Sequence, residues 1–226
     1  MRQKTEQAIL DATVRFEIET WLSCGGGCKI KHNANGHGTI MNGRYLLTHN
    51  HLDETIIARL LTGNNLPTLT ITLYDSNGQL IAKLSAEHVA IAAVDSEAIV
   101  LDFGYQNGTG FFQALGLPSA QFIAATQLTL EVGAVVAQID WDGTATCVEW
   151  ATIDAIETIS GTPVAQLSNG LEHGASGGGV YWNGIHIGNN WKTSTCMTTP
   201  SKTIENHSYA ALNTSHVLNP GQLKPK

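Results

Sequence analysis

Long apolar runs, clustered positive charge and sustained helical periodicity are all missing from this chain of 226 residues. No apolar run approaches the ~20 residues that a membrane-spanning helix needs. The opening stretch, MRQKTEQAILDATVRFEI, breaks its apolar positions with charges and has neither the continuous apolar segment nor the small-residue cleavage site of an export signal. The expectation is a cytoplasmic protein with no membrane partner. Twelve Lys and Arg stand against nineteen Asp and Glu, a net charge of −7 with no local basic cluster, so a surface built to neutralise phosphates is excluded and with it nucleic acid as a partner. Charged residues make up only 14% against 42% hydrophobic, which excludes disorder over most of the length and suffices for one large domain or two small packed lobes. Cysteine is scarce and badly spaced for a metal: Cys24 and Cys28 bracket a glycine loop, but Cys147 and Cys196 lie far apart, whereas a four-cysteine zinc site needs two close pairs. Free thiols, with a Cys24–Cys28 link as the one local pairing, are expected, and no cofactor is implied.

What is present is a series of short alternating or β-branched segments bounded by Gly, Asn and Asp. They include ATVRFEIETW, HGTIMNGRYLLT, TLTITLYDSNGQLIAKL, EAIVLDF, VGAVVAQIDWDGTATCVEWATI, GGVYWNGIHIG and SYAAL. Period-two alternation with NG and DG pairs between runs predicts strands joined by tight hairpins. Helical spacing is confined to the first dozen residues and to segments near LDETIIARLL and SHVL. The chain is therefore expected to be mainly antiparallel β, with short N- and C-terminal helices. The stretch GYQNGTGFFQALGLPSAQF lies between two strand-rich blocks and reads as the crossover between two β lobes.

Two segments carry chemistry. LLTHNHLDE, read as His-x-His-x-Asp, resembles the zinc-ligand segment of metallo-β-lactamase-fold hydrolases, with His49, His51 and Asp53 as ligands. That fold needs substantial helices outside its sheets, and here Glu54 follows Asp53 where the zinc family usually has another histidine. The second segment, LEHGASGGGVYWNGIHIG, sets Ser176 in a glycine-dense turn, where residues without side chains leave a hydroxyl accessible and let backbone N–H groups converge. Its Gly-x-Ser-x-Gly pattern also matches the nucleophile elbow of α/β-hydrolases, which requires an acid and then a histidine downstream. Only Glu205, followed by His207 and His216, is available there, so that match is poor.

Taken together, GHGTIMNGRYLLTHNHL followed much later by GASGGGV resembles the chymotrypsin-like serine protease family over nearly the whole chain. Gly36-His37-Gly38-Thr39-Ile40 matches the family's Gly-Ser-Gly strand, LLTHNHL its histidine segment, EAIVLDF the strand opened by the acid, and SYAAL the last strand. The resemblance implies a mainly β fold of two packed six-stranded antiparallel barrels in a single peptidase domain over 1–226. The first lobe spans 12–104, the crossover 105–124 and the second lobe 125–213. It implies a triad in the chain order histidine, acid, serine: His51 as general base, Glu97 or Asp95 as the acid, and Ser176 as nucleophile. Asp102 is expected to be solvated and structural. The oxyanion hole falls to the N–H groups of Gly174 and Ser176, and no metal takes part. Residues Gly170, His173 and Asn190 are expected in the substrate pocket, whereas His186 reads as a strand residue beside Tyr181. Ala175 stands where enzymes activated by propeptide cleavage carry an aspartate, which draws the chain toward the bacterial high-temperature-requirement and glutamyl-endopeptidase branches. The implied partner is a protein or peptide substrate, with restraint from a regulatory protein or from narrow specificity. A non-catalytic binding module on the same fold and a zinc hydrolase are the alternatives.

Overall fold

A computed structural model describes residues 2–25, 28–50, 52, 56–57, 60, 69–198 and 203–220. After helix α1 (Arg2–Asp11), seven strands follow: β1 (Thr13–Gly25), β2 (Cys28–Met41), β3 (Tyr45–His49), β4 (Thr70–Tyr74), β5 (Leu80–Ser85), β6 (Ala90–Val94) and β7 (Ala98–Asp102). They pair antiparallel in the order β5-β4-β1-β2-β3-β7-β6. Alternation decides which face is inside: Val14, Phe16 and Ile18 of β1 are buried with Ile40, Leu46, Ile71 and Leu101 in one cluster. The Asn42-Gly43 pair joins β2 to β3 with φ of 53° and 66°, the doubly left-handed geometry of a type I′ turn. The sheet's two edge strands, β5 and β6, are consecutive in the chain and are separated by a 3₁₀ turn at Ala86–His88. The chain thus turns a corner directly from one edge of the sheet to the other.

The connection that follows holds a small hairpin, β8 (Tyr105–Gln106) and β9 (Thr109–Gly110), a short helix α2 (Phe111–Ala114) and β10 (Gln121–Phe122). Strands β11 (Val135–Trp141), β12 (Thr146–Ile159), β13 (Thr162–Leu167), β14 (Gly179–Trp182), β15 (Ile185–Thr198) and β16 (Thr203–Leu212) build the second lobe. Their order, β15-β14-β11-β12-β13-β16 with β16 paired back to β15, is a closed six-stranded antiparallel barrel, and β10 adds to β15 in parallel. Closure leaves no long unpaired edge. Its core gathers Val136, Ile153, Leu167, Val180 and Ile187. No helix among the described residues is long and apolar enough to cross a membrane.

Two expectations need correction. The C-terminal segment around 215–218 forms turns rather than a helix, because Pro220 pushes Asn219 out of helical geometry before a second turn can form. Asp102 is not solvated: its carboxylate takes a two-pronged ion pair from Arg44, with Nε donating to Oδ1 at 2.6 Å, and Oδ1 also accepts the Gly104 N–H at 2.8 Å. Its role is structural, as expected. Helical residues occur in the LDETIIARLL segment, where Ile56 and Leu60, one turn apart, are buried.

Candidate active site

The loop between β13 and β14 carries Ser176. Ala175 N–H donates to Glu172 O at 3.3 Å, closing a turn whose third residue, Gly174, has φ of 109°, the type II geometry that favours glycine. A Cβ there would stand 2.9 Å from Trp141 Cδ1. At Gly177, φ 77°, a Cβ would meet Thr48 Oγ1 at 2.1 Å and His37 O at 2.4 Å, so the loop lies flush against β2 and β3 of the first lobe. Ala175 O accepts from Gly178 N–H at 3.0 Å and from Asn190 Nδ2 at 3.3 Å. Because that carbonyl is tied inward, the N–H on the opposite side of the same peptide, that of Ser176, faces away from the loop interior. Asp140 anchors the start of the turn: its Oδ1 accepts the N–H groups of Trp141 at 2.8 Å and Glu172 at 3.1 Å, while burial pushes its carboxyl above the usual range.

Half-buried Ser176 borders a cavity of about 310 Å³ lined also by Leu171, His173, Gly174, Asn190, Trp191 and Lys192. A second cavity of about 280 Å³ opens on the other side of His173 and Gly174, lined by Arg15, Asn35, Gly36 and Trp141. Those two residues form the ridge between the cavities. Of the residues expected in a substrate pocket, His173 and Asn190 border the cavity beside Ser176 and Gly170 does not, while its neighbour Leu171 does. Asn190 does more than line a wall, since its buried amide also donates to Ile139 O at 2.5 Å and its backbone brackets the loop through Gly177 N–H and Gly178 O. His186 stands opposite Tyr181 in the β14–β15 hairpin and is buried away from both cavities.

His51, Asp53 and Glu54 lie outside the described residues. The segment that leads to His51 is nonetheless fixed to the candidate acids: His49 Nδ1 donates to Glu97 O at 2.8 Å, Asn50 N–H to the same carbonyl at 3.0 Å, and Asn50 Nδ2 to Asp95 O at 2.9 Å. The Asp95 carboxylate is occupied by its own turn. Its Oδ1 accepts the N–H groups of Glu97 at 3.0 Å and Ala98 at 2.7 Å, and its Oδ2 accepts Thr214 Oγ1–H at 2.8 Å. The Glu97 carboxylate receives no hydrogen bond from any described residue. Desolvation, then the neighbouring Asp95 charge, push its pKa above the ordinary value. Among the described residues no group of three His, Cys, Asp or Glu is arranged to hold a metal.

One residue of the site was not singled out from the sequence. His37, fully buried, donates Nδ1–H to Gly174 O at 2.8 Å and meets Thr146 Oγ1 with Nε2 at 2.8 Å. Its backbone N–H donates to Ser176 O at 2.9 Å, and Thr48 Oγ1 donates to its carbonyl at 2.6 Å. Burial pushes the imidazole pKa down to about 4, against the pull of the Gly174 carbonyl and with help from the Arg15 charge. The available signal was a lone histidine between two glycines in a strand next to the histidine segment.

No family model and no curated protein matches the chain. Among solved structures, an HtrA-type protease, AlgW with a tripeptide, superposes with a TM-score of 0.60 at 16% identity, covering 96% of this chain and 61% of that one. An AlgW variant with a decapeptide gives 0.61 at 16% identity, covering 94% and 63%. The chain therefore spans about three-fifths of the length of the proteins it matches. The ordered barrel, the strand-rich first lobe and these superpositions establish that this chain has the two-lobe chymotrypsin-like fold seen in HtrA-type proteases.

Proposed function

We propose that the protein is a serine endopeptidase that cleaves peptide bonds through an acyl-enzyme. Ser176 Oγ attacks the scissile carbonyl, His51 takes its proton and then protonates the leaving amine, and the Glu97 carboxylate orients His51 and stabilises its charged form. Negative charge developing on the carbonyl oxygen is met by the N–H groups of Gly174 and Ser176. Each such donor is typically worth a factor of roughly 100 to 1,000 in rate. The observation that carries the reading is the nucleophile loop itself: an inward-tied Ala175 carbonyl, an outward Ser176 N–H and a serine at the rim of a cavity large enough for a side chain.

Glu97 is preferred to Asp95 because three donors already occupy the Asp95 carboxylate. Catalysis needs no freed amino terminus in this reading, since buried Ala175 cannot form an ion pair and Asp140, Asn190 and His37 order the loop instead. The two structural neighbours are an HtrA-type protease with a tripeptide and a variant of it with a decapeptide, which supports a peptide as substrate. Restraint then comes from a partner or from narrow specificity. A fluorophosphonate probe is expected to label the protein at Ser176, with labelling lost in Ser176→Ala and in His51→Ala. Folded protein that takes no label would leave a binding module on the same fold, and peptide hydrolysis stopped by a chelator and restored by zinc would return the metal reading.

A further inference from the structure

Four consecutive peptide units decide whether Gly174 and Ser176 can present their N–H groups together. The first (173–174) and third (175–176) carry those two N–H groups; the second (174–175) and fourth (176–177) lie between and beyond them. The second unit is held from both sides, its N–H by Glu172 O and its carbonyl by His37 Nδ1–H. The fourth is held likewise, its N–H by Asn190 O and its carbonyl by the His37 backbone N–H. One residue of the first lobe therefore grips both units that alternate with the presenting ones, with its ring on one and its backbone on the other.

We infer that the His37 side chain is a positioning residue for the oxyanion hole, fixing the plane of the 174–175 peptide so that the Gly174 and Ser176 N–H groups converge. The inference rests on the reading of Ser176 as nucleophile. The ring is well suited to the task. With Nδ1–H given to a carbonyl, neutral imidazole has only an acceptor left at Nε2, and Thr146 Oγ1–H supplies the donor that holds this tautomer. The ring also leans on Trp141, centroids 5.7 Å apart, and Trp141 in turn occupies the space beside Gly174. The depressed pKa keeps the imidazole neutral, and so the tautomer fixed, down to about pH 4. The backbone bond to Ser176 O would survive substitution of the side chain; the bond to Gly174 O would not. Loss of the ring thus loosens one presenting donor while leaving the nucleophile in place.

The experiment measures saturation kinetics of fluorophosphonate inactivation for the wild type, His37→Ala, His37→Asn and Thr146→Val, with circular dichroism and hydrogen exchange over residues 172–178. Misplacing a reacting group by about 1 Å can cost ~100-fold, so His37→Ala is expected to lower the maximal inactivation rate by about 10- to 100-fold with the half-saturating concentration within about threefold. Asparagine places an amide N–H near the Nδ1 position, and His37→Asn should recover most of the lost rate. Thr146→Val, which releases the tautomer without opening the loop, should give a smaller fall. A folded His37→Ala protein that reacts at the wild-type rate overturns the inference, as does a loss confined to half-saturation or one that His37→Asn does not restore. Should the wild type take no label, the nucleophile reading fails by itself. The positioning role is then judged by hydrogen exchange: faster exchange at Ala175 in His37→Ala supports it, and unchanged exchange refutes it.

Discussion

The buried histidine of the second barrel predicts a specific acid sensitivity. His186 is fully enclosed, its ring 4.6 Å from Phe122 and 5.1 Å from Tyr181 between centroids. Asn213 Nδ2 lies 3.1 Å from Nδ1 and donates its two N–H groups to the His186 and Ile123 carbonyls, so it offers Nδ1 no acceptor. A proton added at Nδ1 would set one N–H against another. Burial, opposed in part by Asn189 and Asn213, pushes the pKa from 6.5 down to about 3. The folded pKa lies below the unfolded one, so the unfolded chain binds more protons in that window. Stability from the neutral ring is complete above about pH 6.5 and is lost as the pH falls toward 3. At about 1.4 kcal/mol per unit, acidification from pH 6.5 to about 4.5 costs on the order of 2–3 kcal/mol, a large share of a typical total of 5–15. His37 acts in the same direction, and Asp140 and Glu97, with raised carboxyls, act in the opposite one. Comparing wild type with His186→Gln cancels those contributions. Urea unfolding at about pH 7, 5.5 and 4.5 should show the wild type losing roughly 2–3 kcal/mol more than the variant. Parallel losses in the two proteins would refute the reasoning.

Gly177→Ala forces a side chain into φ of 77° against Thr48 and His37. Strain and overpacking of about 1–3 kcal/mol each should lower stability by at least ~2 kcal/mol in thermal or chemical unfolding and slow fluorophosphonate labelling; unchanged labelling would contradict the lobe contact. Glu97→Gln should keep its stability and lose about 10³- to 10⁴-fold in peptidase turnover, on the pattern of the triad acid in the well-studied serine proteases. Asp95→Asn should do the reverse, losing about 1–2 kcal/mol of stability as its capping bonds weaken but less than about tenfold in rate. Exchanged phenotypes would assign the acid to Asp95.

Much of the fold was legible because it rests on local chemistry. Alternation at Val14, Phe16 and Ile18 needs only period two, and the Asn42-Gly43 and Asn183-Gly184 hairpins need only residues that tolerate positive φ. Failures occurred where the deciding partner is distant or the backbone irregular. The bond from His37 to Gly174 spans 137 residues, and no local pattern announces it. The lining of the cavity beside Ser176, which takes in Leu171 and not Gly170, comes in part from a loop whose path is set by Asp140 rather than by any period. The two candidate acids, two residues apart, lie in the turn between β6 and β7, where no period tells them apart, and the capping bonds there occupy the Asp95 carboxylate.

Ala175 has a wider consequence. In enzymes with aspartate at that place, an ion pair with a new amino terminus orders the loop; here the position is an apolar side chain with no exposed surface. Order comes instead from bonds reaching the loop from several directions: Asp140 at its start, Asn190 beneath Ala175, His37 on Gly174 and Ser176, and Thr48 packed under Gly177. Asp140 and Asn190 belong to the second lobe, His37 and Thr48 to the first. The loop is thus correct only when the lobes are correctly seated, because a shift of the first lobe moves the Gly174 carbonyl and the Gly177 backbone together. Helix α1 is engaged elsewhere, with Glu6 accepting from Trp150 Nε1 at 2.7 Å and Arg2 stacked 4.7 Å over the same ring. The order of this loop therefore depends on the seam between the lobes, through His37 and Thr48, and not on an ion pair at position 175.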